Sequence, residues 1–409
     1  MKFEKLGLSP EILQNLQDLK FFRTTDIQFK AIPPILRGED VLAIAQTGTG
    51  KTAAFAIPVV HAVQSMKRFA KGRMPLKCLV MVPTRELAQQ ISEVFNAIAR
   101  KTNVIVTCIT GGVEQDPQIK RLQQGTDILV ATPGRMFDLI SQGYIDVSGV
   151  EILILDEADH MLSLGFIKDI RDISAKLPKQ KQILFFSATI DDAIKKAAYG
   201  IVKNPIRIQI SPENPVNKNI THSVAHIEMD DKRFFLERLV NEFEKKKILV
   251  FVRTKVRAER VHNAMERVGI TTATLHGDKD QKERTATLNA FRNGEFDILV
   301  ATDISARGID IPDVDIVVNY DLPELPENYV HRVGRTGRGQ QKGQAFSFCS
   351  NEEKPYLKAI EDFIGQPVDT LTIYKKDYSA IIDLSEDSDE TNWQKLIEED
   401  EKETRKKKR

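Results

Sequence analysis

The sequence predicts an α/β fold in which two tandem domains each carry a parallel sheet. Three observations lead there. Strand-like runs alternate with helical stretches along most of the chain, and many runs are continuously apolar, as strands covered by helices on both faces are. The chain also repeats itself: Asp127-Ile-Leu-Val-Ala-Thr132 recurs letter for letter as Asp297-Ile-Leu-Val-Ala-Thr302, 170 residues later. At the same offset Lys77 matches Lys247, Leu79 matches Leu249, Val80 matches Val250, Val82 matches Val252, Thr84 matches Thr254 and Ala88 matches Ala258. Separate segments sharing one offset point to a duplicated unit. Between the copies, Ile210-Ser-Pro-Glu-Asn-Pro-Val-Asn-Lys-Asn219 is rich in Pro, Asn and Ser, lacks apolar periodicity and reads as a linker.

In chain order, strands are expected at Val41–Ala45, Lys77–Val82, Val104–Thr110, Asp127–Thr132, Glu151–Leu155 and Gln182–Phe186. The second copy offers Lys247–Val252, Thr272–Leu275, Asp297–Thr302, Asp315–Tyr320 and Ala345–Cys349. Helices are expected between them, among them Arg85–Arg100, Thr254–Val268 and Gln281–Phe291. The domains read as 1–210 and 220–375, joined by 211–219 and followed by a charged, mobile tail over 376–409. Acids dominate Asp383–Glu403, five basic residues close the chain at Arg405–Arg409, and the lone Trp393 could anchor a short helix.

Composition removes several classes. Fifty-nine basic against 58 acidic residues leave a net charge of +1, so any nucleic-acid binding must come from local basic groups. Cys78, Cys108 and Cys349 are scattered and odd in number, which excludes a disulfide framework and suits a reducing interior. The start, Met1-Lys-Phe-Glu-Lys5, has no apolar signal core, and no apolar run approaches the roughly 18 residues of a membrane span. A soluble, cytoplasmic protein is expected.

The chemistry concentrates in three places. Ala45-Gln46-Thr47-Gly48-Thr49-Gly50-Lys51-Thr52 follows a strand and precedes a helical run, a setting that aims backbone N–H groups at an anion. Gly48 and Gly50 admit close approach to phosphates, Lys51 reaches the outer phosphates and Thr52 can ligate magnesium. Ala45 stands where the general phosphate-loop pattern has its first glycine. Asp156-Glu157-Ala158-Asp159 ends a buried strand, where carboxylates face the ligand crevice of a parallel sheet. Asp156 is placed to hold hydrated magnesium, and Glu157 to orient or deprotonate a water attacking a γ-phosphate. The second copy lacks a phosphate loop but carries His331-Arg-Val-Gly-Arg-Thr-Gly-Arg338, whose Arg335 and Arg338 could neutralise transition-state charge at a site shared between the copies.

With these residues in view, the chain resembles the DEAD-box family of ATP-dependent RNA helicases over about Phe3 to Phe363. The ordered motifs are Thr25-Asp-Ile-Gln28, Ala45–Thr52, Pro83-Thr-Arg-Glu-Leu-Ala88, Gly111-Gly112, Thr132-Pro-Gly-Arg135, Asp156–Asp159 and Ser187-Ala-Thr189. Gln281-Lys-Glu-Arg284, Ala301-Thr-Asp303, Ala306-Arg-Gly-Ile-Asp310 and His331–Arg338 follow. Their wording is most similar to the bacterial RhlE-type group. The resemblance implies two RecA-like domains with an interdomain cleft, and it implies roles. Phe21 would stack on adenine with Phe3 in support, Gln28 would bond the adenine edge, and Asp310 would touch the ribose. Ser187 and Thr189 would couple the ATP site to RNA-dependent closure, in a network with Asp159 and His331. Pro83, Thr84, Arg85, Gly111, Gly112, Thr132, Pro133, Gly134 and Arg135 would hold RNA on the first domain, and Gln281, Arg284 and Thr302 on the second.

The sequence departs from the family at the adenine motif. Lys20 stands where glycine is usual, and Thr24 and Asp26 stand where proline is common. His160 receives no role, and His222 and His226 read as ordinary surface histidines rather than metal ligands. The reading is an ATP- and Mg2+-dependent RNA helicase, monomeric and without a membrane partner, acting on single strands and short duplexes with low sequence preference. Ribosomal or RNA-decay ribonucleoproteins are its expected setting. A DNA helicase or translocase on the same two-domain plan and an ATP-gated RNA clamp or chaperone that rarely turns over are the rivals. The adenine motif and D-E-A-D wording oppose the first, and the intact Lys51, Asp156, Glu157, Arg335 and Arg338 oppose the second.

Overall fold

The computed structural model describes residues 1–45, 48–70, 72–189, 192–210, 216–303, 314–337 and 341–371. Gln46, Thr47, the segment Ala306–Asp310, Arg338, most of the expected linker and the tail with Trp393 lie outside the described residues. The chain divides into two compact units, the first built on Met1–Asn217 and the second beginning at Lys218.

The first unit carries β1 (Val41–Ala45), β2 (Cys78–Met81), β3 (Val106–Ile109), β4 (Ile128–Ala131), β5 (Ile152–Leu155), β6 (Gln182–Ser187) and β7 (Ile206–Ile210). They form one parallel sheet in the order β3-β4-β2-β5-β6-β1-β7. The second unit carries β8 (Ile220–His226), β9 (Ile248–Val252), β10 (Thr272–Leu275), β11 (Ile298–Thr302), β12 (Ile316–Asn319), β13 (Gly343–Cys349) and β14 (Asp369–Leu371). Its order, β10-β11-β9-β12-β13-β8-β14, is the same permutation, and all pairings are again parallel.

The continuously apolar runs have the expected cause. Along the strands of the first sheet, alternate residues enter different cores. Val80, Val130, Ile154 and Phe186 join one apolar cluster. Leu79, Leu129, Leu153 and Phe185, their immediate neighbours, join another. With both faces covered by helices, neither parity of a strand can be polar.

The duplication persists in backbone detail. Cys78 N–H donates to Asp127 O at 3.1 Å, and 170 residues on, Ile248 N–H donates to Asp297 O at 2.8 Å. Thr84 caps the helix Arg85–Ala99 by accepting from Leu87 N at 3.3 Å. Thr254 caps the helix Lys255–Arg267 by accepting from Arg257 N at 3.2 Å. One position differs: β1 runs into the glycine loop, whereas β8, at the same place in its sheet, runs into Ile227-Glu-Met-Asp230.

Three strands escaped the sequence reading. β7 and β14 are edge strands, so one side is unpaired and apolar density is low; β14 is exposed throughout. β8 mixes Thr, His and Ser into an inner strand. The surface reading of His222 is corrected here. His226 is exposed, but His222 is buried and its Nδ1 lies 2.9 Å from Tyr329 Oη. Among the described residues, no cluster of His, Cys, Asp and Glu suits a metal ion by itself, and no helix is long and apolar enough to cross a membrane.

The paired caps make a prediction. Thr84→Ala and Thr254→Ala should each destabilise their own unit by about 1 kcal/mol. Urea unfolding followed by far-ultraviolet circular dichroism would measure it; an unchanged midpoint in either variant contradicts that cap.

Candidate active site and nucleic-acid face

In a parallel sheet every strand ends at the same edge, and ligands bind beyond it. In the first unit, strand order therefore sorts the motifs. β3, β4 and β2 are neighbours and run into Gly111-Gly112, Thr132–Arg135 and Pro83-Thr84-Arg85. β5, β6 and β1 are the next neighbours and run into Asp156–Asp159, Ser187–Thr189 and the glycine loop. The expected RNA contacts fill one half of the edge and the expected phosphate chemistry the other.

The helix Lys51–Phe69 starts directly after Gly50, its N-cap. Gly50 has φ 93°, and a Cβ built on it would lie 2.6 Å from Gln28 Nε2. Both conformation and space thus require glycine there. Lys51 is buried, and its Nζ has no hydrogen-bond partner among the described residues. Asp156 is also buried, and burial pushes its carboxyl up to about 6, with Lys51 opposing the rise and Glu157 adding to it. A buried ammonium with no hydrogen-bond acceptor among the described residues, close to a buried carboxylate whose charged form is disfavoured by burial, suits a phosphate and a dication respectively. Thr52 follows on the same first turn.

Glu157 takes φ 49°, left-handed for a residue with a side chain, and is the N-cap of the short helix Ala158–Ser163. His160, which received no role from the sequence, is buried with Nδ1 3.4 Å from Glu157 Oε2. Asp159 is the junction of the site. Its Oδ2 accepts from Ala188 N at 3.2 Å, Thr189 N at 3.1 Å and Thr189 Oγ1 at 3.1 Å. Ser187 Oγ donates to Thr189 O at 2.7 Å. The acidic motif after β5 and the Ser-Ala-Thr motif after β6 are thus one hydrogen-bonded body.

On the other half, Arg85 lies across Gly112: a Cβ at Gly112, where φ is 72°, would stand 1.8 Å from Arg85 Nη1. Arg135 Nη2 donates to Val113 O at 3.0 Å, while its Nη1 is buried without a partner among the described residues. Thr132 is the N-cap of the helix Pro133–Ser141, which begins Pro133-Gly134-Arg135. Helix N-termini after β2 and β4 and two arginines thereby face one region, a setting suited to phosphates.

The adenine motif explains its own departure. The helix Pro10–Asp18 ends in a Schellman turn: Lys20 N bonds Gln17 O at 2.9 Å and Phe21 N bonds Leu16 O at 2.8 Å. Lys20 fills the left-handed position of that turn with φ 60°, which is why glycine is the usual residue. Phe21 follows, 37% exposed, while Phe3 is buried in the core. Gln28 closes a capping box with Thr25 and donates from Nε2 to Gly50 O at 3.3 Å.

Thr302 ends β11 of the second sheet, and Gln281 and Arg284 open the helix Gln281–Asn293 that follows β10 in the chain. These places repeat those of Thr132 and Gly111-Gly112 after β4 and β3. His331 lies in the helix Pro326–Val333, and Arg335 Nε donates to His331 O at 3.2 Å. Arg332, unassigned from the sequence, is fully buried and grips Asp303 with two guanidinium nitrogens at 2.5 and 2.8 Å. Its position inside an arginine-rich motif hid a structural ion pair among site arginines.

Residues 25–197 match the DEAD/DEAH box helicase family and residues 231–340 the helicase conserved C-terminal domain. The chain is 38% identical over 386 residues to the DEAD-box ATP-dependent RNA helicase RhpA of Helicobacter pylori, covering 94% of this chain and 77% of that protein. It is 39% identical to the ATP-dependent RNA helicase RhlB of Shewanella amazonensis, covering 94% and 87%. Among solved structures, S. cerevisiae Dbp5 bound to RNA and ADP BeF3 gives a TM-score of 0.83 at 31% identity, covering 94% of this chain and 99% of that one. Mss116p bound to single-stranded RNA and AMP-PNP gives 0.82 at 28% identity, covering 91% and 79%.

The Schellman turn yields a test. Lys20→Gly should stabilise the first unit by about 0.5–1 kcal/mol, the left-handed penalty less glycine's extra unfolded-state freedom. Lys20→Val should destabilise it, since a β-branched residue tolerates that conformation worst. Chemical denaturation of the three proteins decides; equal midpoints contradict the strained turn.

Proposed function

Because the chain belongs to the DEAD-box RNA helicase family, we propose that it couples RNA-stimulated ATP hydrolysis to local unwinding or remodelling of RNA duplexes and ribonucleoproteins. The observation that carries this reading is the Asp159 junction between Asp156-Glu157 and Ser187–Thr189. It fuses the carboxylates of the phosphate half to the next strand of the same edge, so a shift of either motif moves the other.

The roles follow from chemistry. Lys51 neutralises the outer phosphates, and the glycine loop with its helix N-terminus cradles them. Thr52 and Asp156 would hold Mg2+, which when bound offsets phosphate charge. Glu157 orients the attacking water, and Arg335 with Arg338 stabilises the charge developing on the γ-phosphate. Phe21 and Gln28 select adenine, and Asp310 touches the ribose. Arg85, Gly111-Gly112, Thr132–Arg135, Gln281, Arg284 and Thr302 hold RNA through phosphates and 2′-hydroxyls, which accounts for low sequence preference. We keep the domain boundaries at 1–210 and 220–375, and we place the enzyme in the cytoplasm as a monomer. Assignment to the RhlE-type group rests on motif wording alone.

Steady-state ATPase with RNA and with DNA of equal length and sequence tests the function; equal stimulation by both would reject an RNA helicase. Glu157→Gln keeps shape and removes the carboxylate, so ATP should still bind and RNA dissociate more slowly than from wild type in its presence. Rapid release would contradict a reset driven by hydrolysis. Arg335→Ala should lower kcat by roughly a thousand-fold while ATP affinity changes far less. Near-normal turnover removes Arg335 from the chemistry.

A further inference from the structure

We propose that the second unit keeps a closed counterpart of the first unit's phosphate site, in which the carboxylate of Glu353 stands where a phosphate would and shuts that edge to anions. The likeness rests on the roles of Lys51 and Asp156 proposed above.

Equivalent places in the two sheets carry the same residue types. β8, β12 and β13 hold in the second sheet the positions of β1, β5 and β6 in the first. Lys51 opens its helix six residues after Ala45, the last residue of β1. Lys232 opens the helix Lys232–Glu242 six residues after His226, the last residue of β8. Asp156 N donates to Met81 O at 3.2 Å, and Asp321 N donates at the same 3.2 Å to Phe251 O, 170 residues beyond Met81. Each sheet edge therefore has a lysine at the start of a helix and an aspartate two strands away.

The two lysines differ in what meets them. Both are buried, but Lys51 Nζ has no hydrogen-bond partner among the described residues. Lys232 Nζ donates to Tyr320 O at 2.7 Å and to Glu353 Oε2 at 2.5 Å, and it lies 3.8 Å from Asp321 Oδ1. Glu353 ends the short 3-10 turn Asn351–Glu353 that follows β13. A capping box with Ser350 explains part of its setting: Oε2 also accepts from Ser350 N at 3.0 Å and from Ser350 Oγ at 3.2 Å. The cap does not explain the donors that other strand ends send. Besides Lys232 after β8, Oε1 accepts from Leu322 N after β12 and from Arg253 Nη2 after β9, both at 3.1 Å. Two backbone N–H groups, a hydroxyl, an ammonium and a guanidinium thus surround one carboxylate, a donor set of the kind that recognises a phosphate oxyanion. The charge of Asp321 is also met within the unit: Arg257 Nε lies 3.0 Å from Oδ1, and Arg253 N donates to Oδ2 at 3.0 Å.

Lys232 is wholly buried and Glu353 nearly so. Without the carboxylate, five donors would face an empty place in the interior, the ammonium among them uncompensated. An anion entering there would satisfy them. In the wild-type chain Glu353 is that anion, tethered and always present, so the second sheet edge draws the loops after β8, β9, β12 and β13 together and takes up no phosphate. The place at issue is that of one carboxylate and two methylenes. The ligand it excludes is therefore a single tetrahedral oxyanion such as orthophosphate, not a nucleotide.

The test uses the full chain carrying Lys51→Ala, which silences the first unit's site, with orthophosphate as probe and chloride at equal ionic strength as control. Adding Glu353→Ala should gain one phosphate per chain over this parent by titration calorimetry, and the thermal midpoint should climb with phosphate concentration. Adding Lys232→Met as well should weaken that binding by roughly ten-fold or more, the worth of one charged hydrogen bond. Glu353→Gln, whose amide still fills the place, should gain no phosphate. The proposal is overturned if Glu353→Ala binds no more phosphate than its parent, if Glu353→Gln gains as much, or if the gain survives Lys232→Met. Should Glu353→Ala not fold in chloride, refolding yield decides: phosphate should restore it, and no recovery in phosphate rejects the site. ATP binding by Lys51→Ala, measured alongside, keeps the two readings apart. If it equals wild type, the role of Lys51 fails, while phosphate uptake by Glu353→Ala still reports on the second unit alone.

Discussion

Parallel strand pairing is the constraint on which the rest of this molecule depends. It obliges each connection to cross a sheet face, so both faces are clothed in helices and strands such as Ile152–Leu155 can be apolar at every position. It also gathers every strand end onto one edge. Residues as distant in sequence as Gln28, Lys51, Asp156 and Thr189 meet there because β1, β5 and β6 are near neighbours in the sheet. The fold places the functional groups by topology first; the side chains then refine what topology has assembled.

That order explains what could be read beforehand. Helix-covered strands announce themselves as apolar runs, and a duplicated unit announces itself as a shared offset, so Ile128–Ala131 and Ile298–Thr302 were legible at once. The glycine loop and the acidic motif were legible because their local order already implies a strand, a turn and a helix. Edge strands were not. Ile206–Ile210 pairs on one side only and alternates Ile with Arg and Gln, so it offers half the signal of an inner strand.

The polar interior was illegible for a different reason. Arg332 reads like its neighbours Arg335 and Arg338, yet it is the arginine that closes on Asp303, across a separation in sequence that no local pattern encodes. His222 reads as a strand-surface residue until Tyr329 arrives from a helix a hundred positions later. Lys20 is intermediate. Its departure from the family was visible, but the reason glycine is usual there, a left-handed turn that sets Phe21 after the helix Pro10–Asp18, needed the backbone.

The unequal ends of β1 and β8 carry a consequence for stoichiometry. The two sheets share one strand permutation, but β1 opens into a glycine loop, whereas β8 continues into Ile227-Glu-Met-Asp230, which contains no glycine. Duplication without a second phosphate loop leaves one glycine-loop nucleotide site for the proposed ATPase. Saturation by nucleotide within a single chain is then hyperbolic, with a Hill coefficient of one. Any sigmoidal response to nucleotide then has to come from coupling between chains.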